Sequence, residues 1–254
     1  GSGPNISLRG NYTYRVLERY GLHRHCEVLG CPSLFINPHP NLGAQIRKRL
    51  EGPSQYIGIA PGNIGAVPKQ HLALERRLAE LTTEHTASYL LQHPPEVFDL
   101  LLSPAGDLDL AKAAKISEGV RPGMQTHAFL AWLKMHGRIF DNIPSWLFHV
   151  RSLDLVLSMR IHGTQLALQA GCPALCIAID ARQLELCEVM HIPFILSDEI
   201  GSNFAVETAR ERLLDHDWEK FDQNRISLAK KFIGFLKANG LSPTPQLSRI
   251  AGTP

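Results

Sequence analysis

Apolar positions along the chain fall into two patterns. Short solid runs occupy residues 56–60, 87–92, 155–159, 174–179 and 192–196, the signature of strands buried on both faces. Between them the apolar residues recur with a helical period. The segment 69–85, with Pro68 at its first turn, places Leu72, Leu78 and Leu81 on one side. Further helices are expected from Pro94-Pro95 through 102, and over 107–116, 125–136, 144–152, 181–190, 203–215 and 218–239. Pro122 and Gly123 break the middle of this series, 138–141 reads as a brief strand, and Gly240 ends the last helix. Strand–helix alternation of this kind predicts an α/β fold, a doubly wound parallel-sheet domain over 54–240. Residues 1–53 read as the remnant of another unit plus a linker. They hold a helix over 12–20 closed by Gly21, a strand running into a turn over 28–35, and a Pro- and Gly-containing link over 38–53 with a short helix at 44–50. The Ser/Thr/Pro-rich tail 241–254 is expected to be mobile.

The stretch 154–180 is the part around which the rest is organised. Its first apolar run ends in Arg160-Ile161-His162-Gly163, and 164–170 reads as a helix with Thr164 as N-cap and Gly171 as its terminator. Pro173 blocks continuation, and the second run stops at Asp180. In such strand–helix–strand units, ligands bind outside the carboxyl ends of the strands. If the first strand persists through His162, its period of two puts Arg160 and His162 on one face. A fixed cation, an imidazole and a helix N-terminus together suit a phosphate or carboxylate with proton transfer nearby. Arg-x-His-Gly alone is too short to be specific, and a surface Arg beside a capping His accounts for it equally well.

Composition narrows the classes. With 44% hydrophobic and 20% charged residues over 254 positions, the chain is that of a globular protein with a substantial core. A formal charge of +2, without a basic stripe, argues against a nucleic-acid partner. The twelve histidines are scattered and no HExxH or CxxC occurs, so no metal site is expected; His23 and His25 beside Cys26 read as a polar loop. The five cysteines, an odd number in apolar contexts, read as reduced thiols and point to the cytoplasm. No apolar stretch is long enough to span a bilayer and no signal peptide is evident, which leaves peripheral association with the inner face of the membrane compatible. Gly1-Ser2-Gly3 is set aside from the fold argument.

Three segments, in this order and spacing, point further. Leu8-Arg9-Gly10-x-Tyr12-Thr13, then Val28-Leu29-Gly30-Cys31-Pro32-Ser33, then Ser158-Met159-Arg160-Ile161-His162-Gly163 with Ala170-Gly171-Cys172-Pro173 resemble the polysaccharide pyruvyl transferases. The likeness covers most of the chain and is weakest over 94–137 and in the tail. It implies two Rossmann-like domains facing across a cleft, the glycosyltransferase B arrangement. The family usually carries a longer amino-terminal domain before the Arg9 motif, so that domain is expected to be largely missing here, in a truncated or a shortened member; the chain reads as a transferase whose activity in this form stays open.

The resemblance further implies phosphoenolpyruvate as donor substrate, a sugar or lipid-linked glycan as acceptor, and a pyruvate ketal as product. No cofactor is expected, because the reactive group arrives with the donor, and a homo-oligomer remains open. By the family pattern Arg160 holds the donor from the second domain and Arg9 from the first, with Gly163 and Thr164 at the helix start beneath the anion. His162 is the candidate general acid/base, with a structural cap as its alternative. Asp180, Arg182 and Glu185 fit a polar wall for the sugar or for orienting His162, although Asp180 serves equally as an N-cap. Asn63, in the turn after the strand 56–60, is in reach of either ligand, but turn formation explains it better. Trp132, Trp146 and Trp218 fit core packing better than sugar stacking. Two rivals stay in view: a nucleotide-sugar glycosyltransferase or epimerase of similar fold, and a non-catalytic glycan-binding or assembly subunit.

Overall fold

A computed structural model describes residues 3–62, 69–92, 95–104, 107–201 and 203–252. In chain order the elements are β1 (Ile6–Leu8), α1 (Asn11–Arg19), β2 (Cys26–Val28), α2 (Leu42–Arg49), β3 (Tyr56–Ala60), α3 (Leu72–Glu84), β4 (Thr86–Leu90), α4 (Pro95–Leu102), α5 (Leu110–Val120), α6 (Thr126–His136), β5 (Gly137–Arg138), α7 (Ile143–Arg151), β6 (Leu155–Ser158), α8 (Ile161–Gln169), β7 (Ala174–Ala178), α9 (Ala181–Met190), β8 (Phe194–Leu196), α10 (Val206–Leu214), α11 (Trp218–Ala238) and α12 (Pro245–Ala251).

Six strands form one all-parallel sheet in the order β5-β4-β3-β6-β7-β8. The chain starts in the middle at β3, winds outward through β4 and β5, then returns to lay β6 against the other edge of β3. Relative to the first strand of the sheet this is the 3-2-1-4-5-6 order of a doubly wound, Rossmann-like fold, as the apolar runs predicted. Ile57 pairs with Leu155 and Ala60 with Ser158, so β3 and β6 end side by side. That is where the strand order reverses and where a crevice must open. The strands are apolar throughout because helices cover both faces; Ile57, Ile59, Leu155, Val156, Leu157, Leu175 and Ile177 are all fully buried.

Helix α8 starts earlier than the sequence pattern suggests. Ser158 Oγ accepts from Arg160 N at 3.0 Å and donates to Arg160 O at 2.7 Å, closing the turn at once. The helix therefore begins at Ile161 with Arg160 as N-cap, and Thr164 is buried inside it, its hydroxyl turned back 3.5 Å from Arg160 O. Arg160 and His162 consequently do not share a strand face; they occupy the cap and the first turn. The far end is as expected: Gly171 takes φ +75°, and Cys172 N–H bonds back to Ala167 O at 2.9 Å.

The amino-terminal segment forms its own two-stranded parallel pair, β1 with β2, around α1. The region expected as a linker carries α2, whose Leu42 and Ile46 are fully buried. Helix α11 holds it in place. Asp222 accepts from Gly43 N and Ala44 N at 2.7 and 3.1 Å, and fully buried Arg225 donates to the carbonyls of Leu34, Asn37 and His39. The tail expected to be mobile instead contains α12, packed on α11 through buried Leu247, Ile250 and Ala251. Trp132 and Trp218 are buried, donating to Thr82 Oγ1 and Leu213 O. Among the described residues, no helix is long and apolar enough to cross a membrane.

Candidate active site

Where β3 and β6 end, a cavity of about 660 Å³ opens, lined by Gly62, Gln92, Arg160, His162, Asp180, Arg182 and Gln183 among others. A larger depression of about 810 Å³ lies between α2 and α11. Its buried acid, Asp222, is committed to the first turn of α2, and it lies at no strand end, so the smaller cleft is the candidate site.

The backbone of the cleft is fixed by its own side chains. Met159 N bonds Ala60 O at 2.9 Å, and Gln183 Nε2 donates to Met159 O at 2.9 Å, clamping the end of β6 from both sides. Arg160 Nε then donates to Gly62 O at 3.0 Å. This single bond orients the guanidinium while its two terminal amino groups keep no partner among the described residues. A planar fork pinned at one edge and free along the other is suited to a carboxylate or phosphate. Burial lowers the Arg160 pKa, the Glu75 carboxyl raises it, and the Arg182 charge lowers it again. Two guanidinium groups therefore converge on the cleft, and an anion between them relieves their repulsion.

His162 lies in the first turn of α8 and is exposed. Its Nε2 is 3.9 Å from Cys31 Sγ, on the loop after β2. Ser33 Oγ lies 3.2 Å from the same sulfur and also contacts Gln165 Oε1. Burial pushes the Cys31 thiol up, but the hydrogen bonds from His162 and Ser33 outweigh it and bring it down to about 7. No side chain caps α8, so its opening N–H groups remain available to a ligand.

The remaining candidates divide. Asp180 lines the cleft and caps α9, accepting from Gln183 N at 2.7 Å, and lies 3.7 Å from Arg182. Gly163 and Thr164 turn inward. A Cβ on Gly163 would come within 2.6 Å of Ser158 Oγ and 2.8 Å of Gln92 Nε2, so the glycine is what lets α8 seat on the strand ends. Glu185 does not join the wall of the cleft. Its carboxylate accepts from Thr13 N and Thr13 Oγ1 at 3.1 and 3.0 Å, closing the first turn of α1, which lacks a capping side chain of its own. Gly10 permits this, since a Cβ there would overlap Glu185. Arg9 is exposed and is not among the residues lining the cleft. Asn63 lies outside the described residues.

Two residues at the site went unnoticed in the sequence. Gln92, at the end of β4, carries a buried Nε2 without a partner among the described residues. Glu75, on α3, is fully buried with neither carboxylate oxygen hydrogen-bonded among the described residues. Burial pushes it up to about 7, against the pull of the Gly62 peptide and the Arg160 guanidinium. Nothing in the pattern of α3 separates Glu75 from Glu80 or Glu84, which face outward; only the neighbouring Leu74 and Leu78 mark its side of the helix.

Fold and cleft together define a Rossmann-like α/β protein with two arginines and a histidine gathered at its switch point. Residues 3–181 match the family model of the polysaccharide pyruvyl transferases, and the chain belongs to that family. Neither a curated protein nor a solved structure gives a significant match.

Proposed function

We propose that this chain moves the enolpyruvyl group of phosphoenolpyruvate onto two hydroxyls of a glycan, forming a pyruvate ketal and releasing phosphate. Family membership supports a transferase acting in polysaccharide synthesis. The observation that carries the donor assignment is the Arg160 guanidinium, anchored at Nε with both terminal amino groups free, beside Arg182 and the uncapped start of α8. Phosphoenolpyruvate puts a carboxylate and a phosphate on one three-carbon frame, and this arrangement offers a fork, a second cation and backbone amides to receive them.

The reaction needs a proton at the methylene carbon before C2 becomes electrophilic. His162, exposed in the cleft beside these cations, is the group in position to give it. One sugar hydroxyl then bonds to C2 and loses its proton, the C2–O bond to phosphate breaks, and a second hydroxyl closes the ring with loss of another proton. His162, left as the free base by the first step, accepts one of these. Asp180 and Gln92 border the remaining space and suit a polyol. Arg9 is assigned to the donor only by the family pattern. No resident cofactor is part of this reading.

Binding calorimetry with phosphoenolpyruvate and a panel of nucleotide sugars tests the donor. Phosphoenolpyruvate is expected to bind, and Arg160→Ala to weaken it by about 10- to 100-fold, the loss expected of one or two charged hydrogen bonds. Binding of a nucleotide sugar in its place would overturn the reading in favour of a glycosyltransferase or epimerase. Glycan binding without phosphate release would overturn it in favour of a non-catalytic subunit.

A further inference from the structure

The chain has five cysteines, and the fold treats them unequally. Cys172 and Cys176 are fully buried and Cys187 is 1% exposed. Burial pushes Cys172 up to about 12, while a hydrogen bond with Cys176 and burial push Cys187 up as well. Cys26 and Cys31 are each 7% exposed, so access does not separate them. Their partners do. Cys26 Sγ donates to the Leu22 carbonyl at 3.6 Å, whereas Cys31 Sγ faces the His162 imidazole at 3.9 Å and the Ser33 hydroxyl at 3.2 Å.

The surroundings of Cys31 are built rather than incidental. Its backbone N–H is held by Met190 Sδ at 3.4 Å, and Gly30 ahead of it takes φ +74°, where a Cβ would press on the same methionine. Ser33 Oγ reaches the sulfur at 3.2 Å and is itself held by Gln165 Oε1. The one titratable group among the described residues that acts on the thiol is His162 on α8, whose first turn also favours a negative sulfur. The loop after β2 and the start of α8 thus bring a thiol and an imidazole together across the edge of the cleft.

We propose that Cys31 and His162 share one proton, with Cys31 as the thiolate member, and that Cys31, next to the cleft-lining His162, is therefore the site at which small carbon electrophiles bond covalently to the chain. The thiol proton passes to His162 Nε2, leaving a sulfur lone pair. With a haloacetamide, that pair forms the S–C bond, the carbon–halogen bond breaks, halide leaves, and the proton remains on His162 to exchange with water. The pairing stands on geometry alone. Only its catalytic consequence rests on the transferase reading above: the contact with Cys31 Sγ at 3.9 Å fixes the orientation of the His162 ring toward the donor methylene, which makes Cys31 a positioning residue.

The test is iodoacetamide labelling of the intact chain as a function of pH, mapped by peptide mass, with the ultraviolet absorbance of thiolate followed in parallel. Cys31 is expected to label ahead of Cys26, with a midpoint near pH 7. In His162→Gln the midpoint is expected to rise to the free-cysteine range of about 8.5 or above. In Cys31→Ser the thiolate absorbance step near neutrality disappears. An unchanged midpoint in His162→Gln, or equal labelling of Cys26 and Cys31, overturns the pair. Phosphoenolpyruvate is then added as protectant. If the midpoint shift is present but the donor gives no protection, the pair stands and the donor assignment falls.

Discussion

Two neighbouring strand–helix turns border the cleft, and they are built on opposite plans. At β7–α9, Asp180 caps the helix through Gln183 N, and its carboxylate pairs loosely with Arg182. At β6–α8, the cap position is occupied by Arg160, whose side chain leaves the helix to bond Gly62 O. The first turn is internally satisfied, and its carboxylate faces the Arg182 guanidinium, which also lines the cleft. The second leaves its amides open and puts a cation and an imidazole beside them. Two turns in one sheet thus serve different ends, one finishing its helix and lending Arg182 to the cleft, the other keeping its first amides and Arg160 for an anion.

The sharpest way to break this contrast is at His162. Replacing it with Gln is expected to lower phosphate release by about 10²- to 10⁴-fold while donor affinity, measured by calorimetry, stays near that of the parent chain. A matching loss of affinity would make His162 part of the grip rather than the proton donor. Next comes Glu75, buried beside Gly62 and Arg160 at the open turn. Glu75 is raised from 4.5 to about 7, so folding is favoured by its neutral form. That contribution is complete below about 4.5 and is lost as pH rises through about 7, a swing of roughly 3 kcal/mol. Glu75→Gln should therefore flatten the fall in thermal midpoint between acid and mildly alkaline pH. An unchanged pH profile would show that the carboxyl is not carrying that term.

Smaller effects separate the two turns themselves. Gly163→Ala drives a methyl group against Ser158 Oγ and Gln92 Nε2 and should cost about 1–3 kcal/mol in a denaturant titration. Asp180→Ala removes one capping bond and should cost about 1 kcal/mol with little change in donor affinity. If Asp180→Ala instead abolished donor binding while Gly163→Ala was silent, the assignment of grip to one turn and closure to the other would be reversed.

Much of this architecture was legible in the chain. The solid apolar runs at β3, β6 and β7, short and bounded by turn residues, read as covered strands, and α9 and α11 fall within a residue of their expected bounds. The errors have local causes. Thr164 looked like a cap because the side chain that closes the turn, Ser158, sits inside the strand pattern and betrays nothing of its bond to Arg160. Glu185 looked like a cleft residue because helical spacing places it near Arg182, whereas its partner Thr13 is 172 positions away. Helix α12 was missed because its Pro- and Ser-containing sequence has few apolar residues, and those few are buried by α11 and the segment 32–35. Distance in sequence hid only the Glu185–Thr13 bond; the Ser158 bond spans two residues and was hidden by the strand pattern around it.

The grip of α11 on the amino-terminal segment has a consequence for how the molecule is made. Residues 34–44 surrender their carbonyls and amides to Asp222 and Arg225, some 180 residues downstream. A chain leaving the ribosome therefore holds residues 34–44 unfinished until Asp222 and Arg225 have emerged. Chains released before residue 218 should lose protease resistance around 34–50 while the central sheet stays protected, and equal resistance in chains that include α11 and chains that lack it would show that this segment matures by itself.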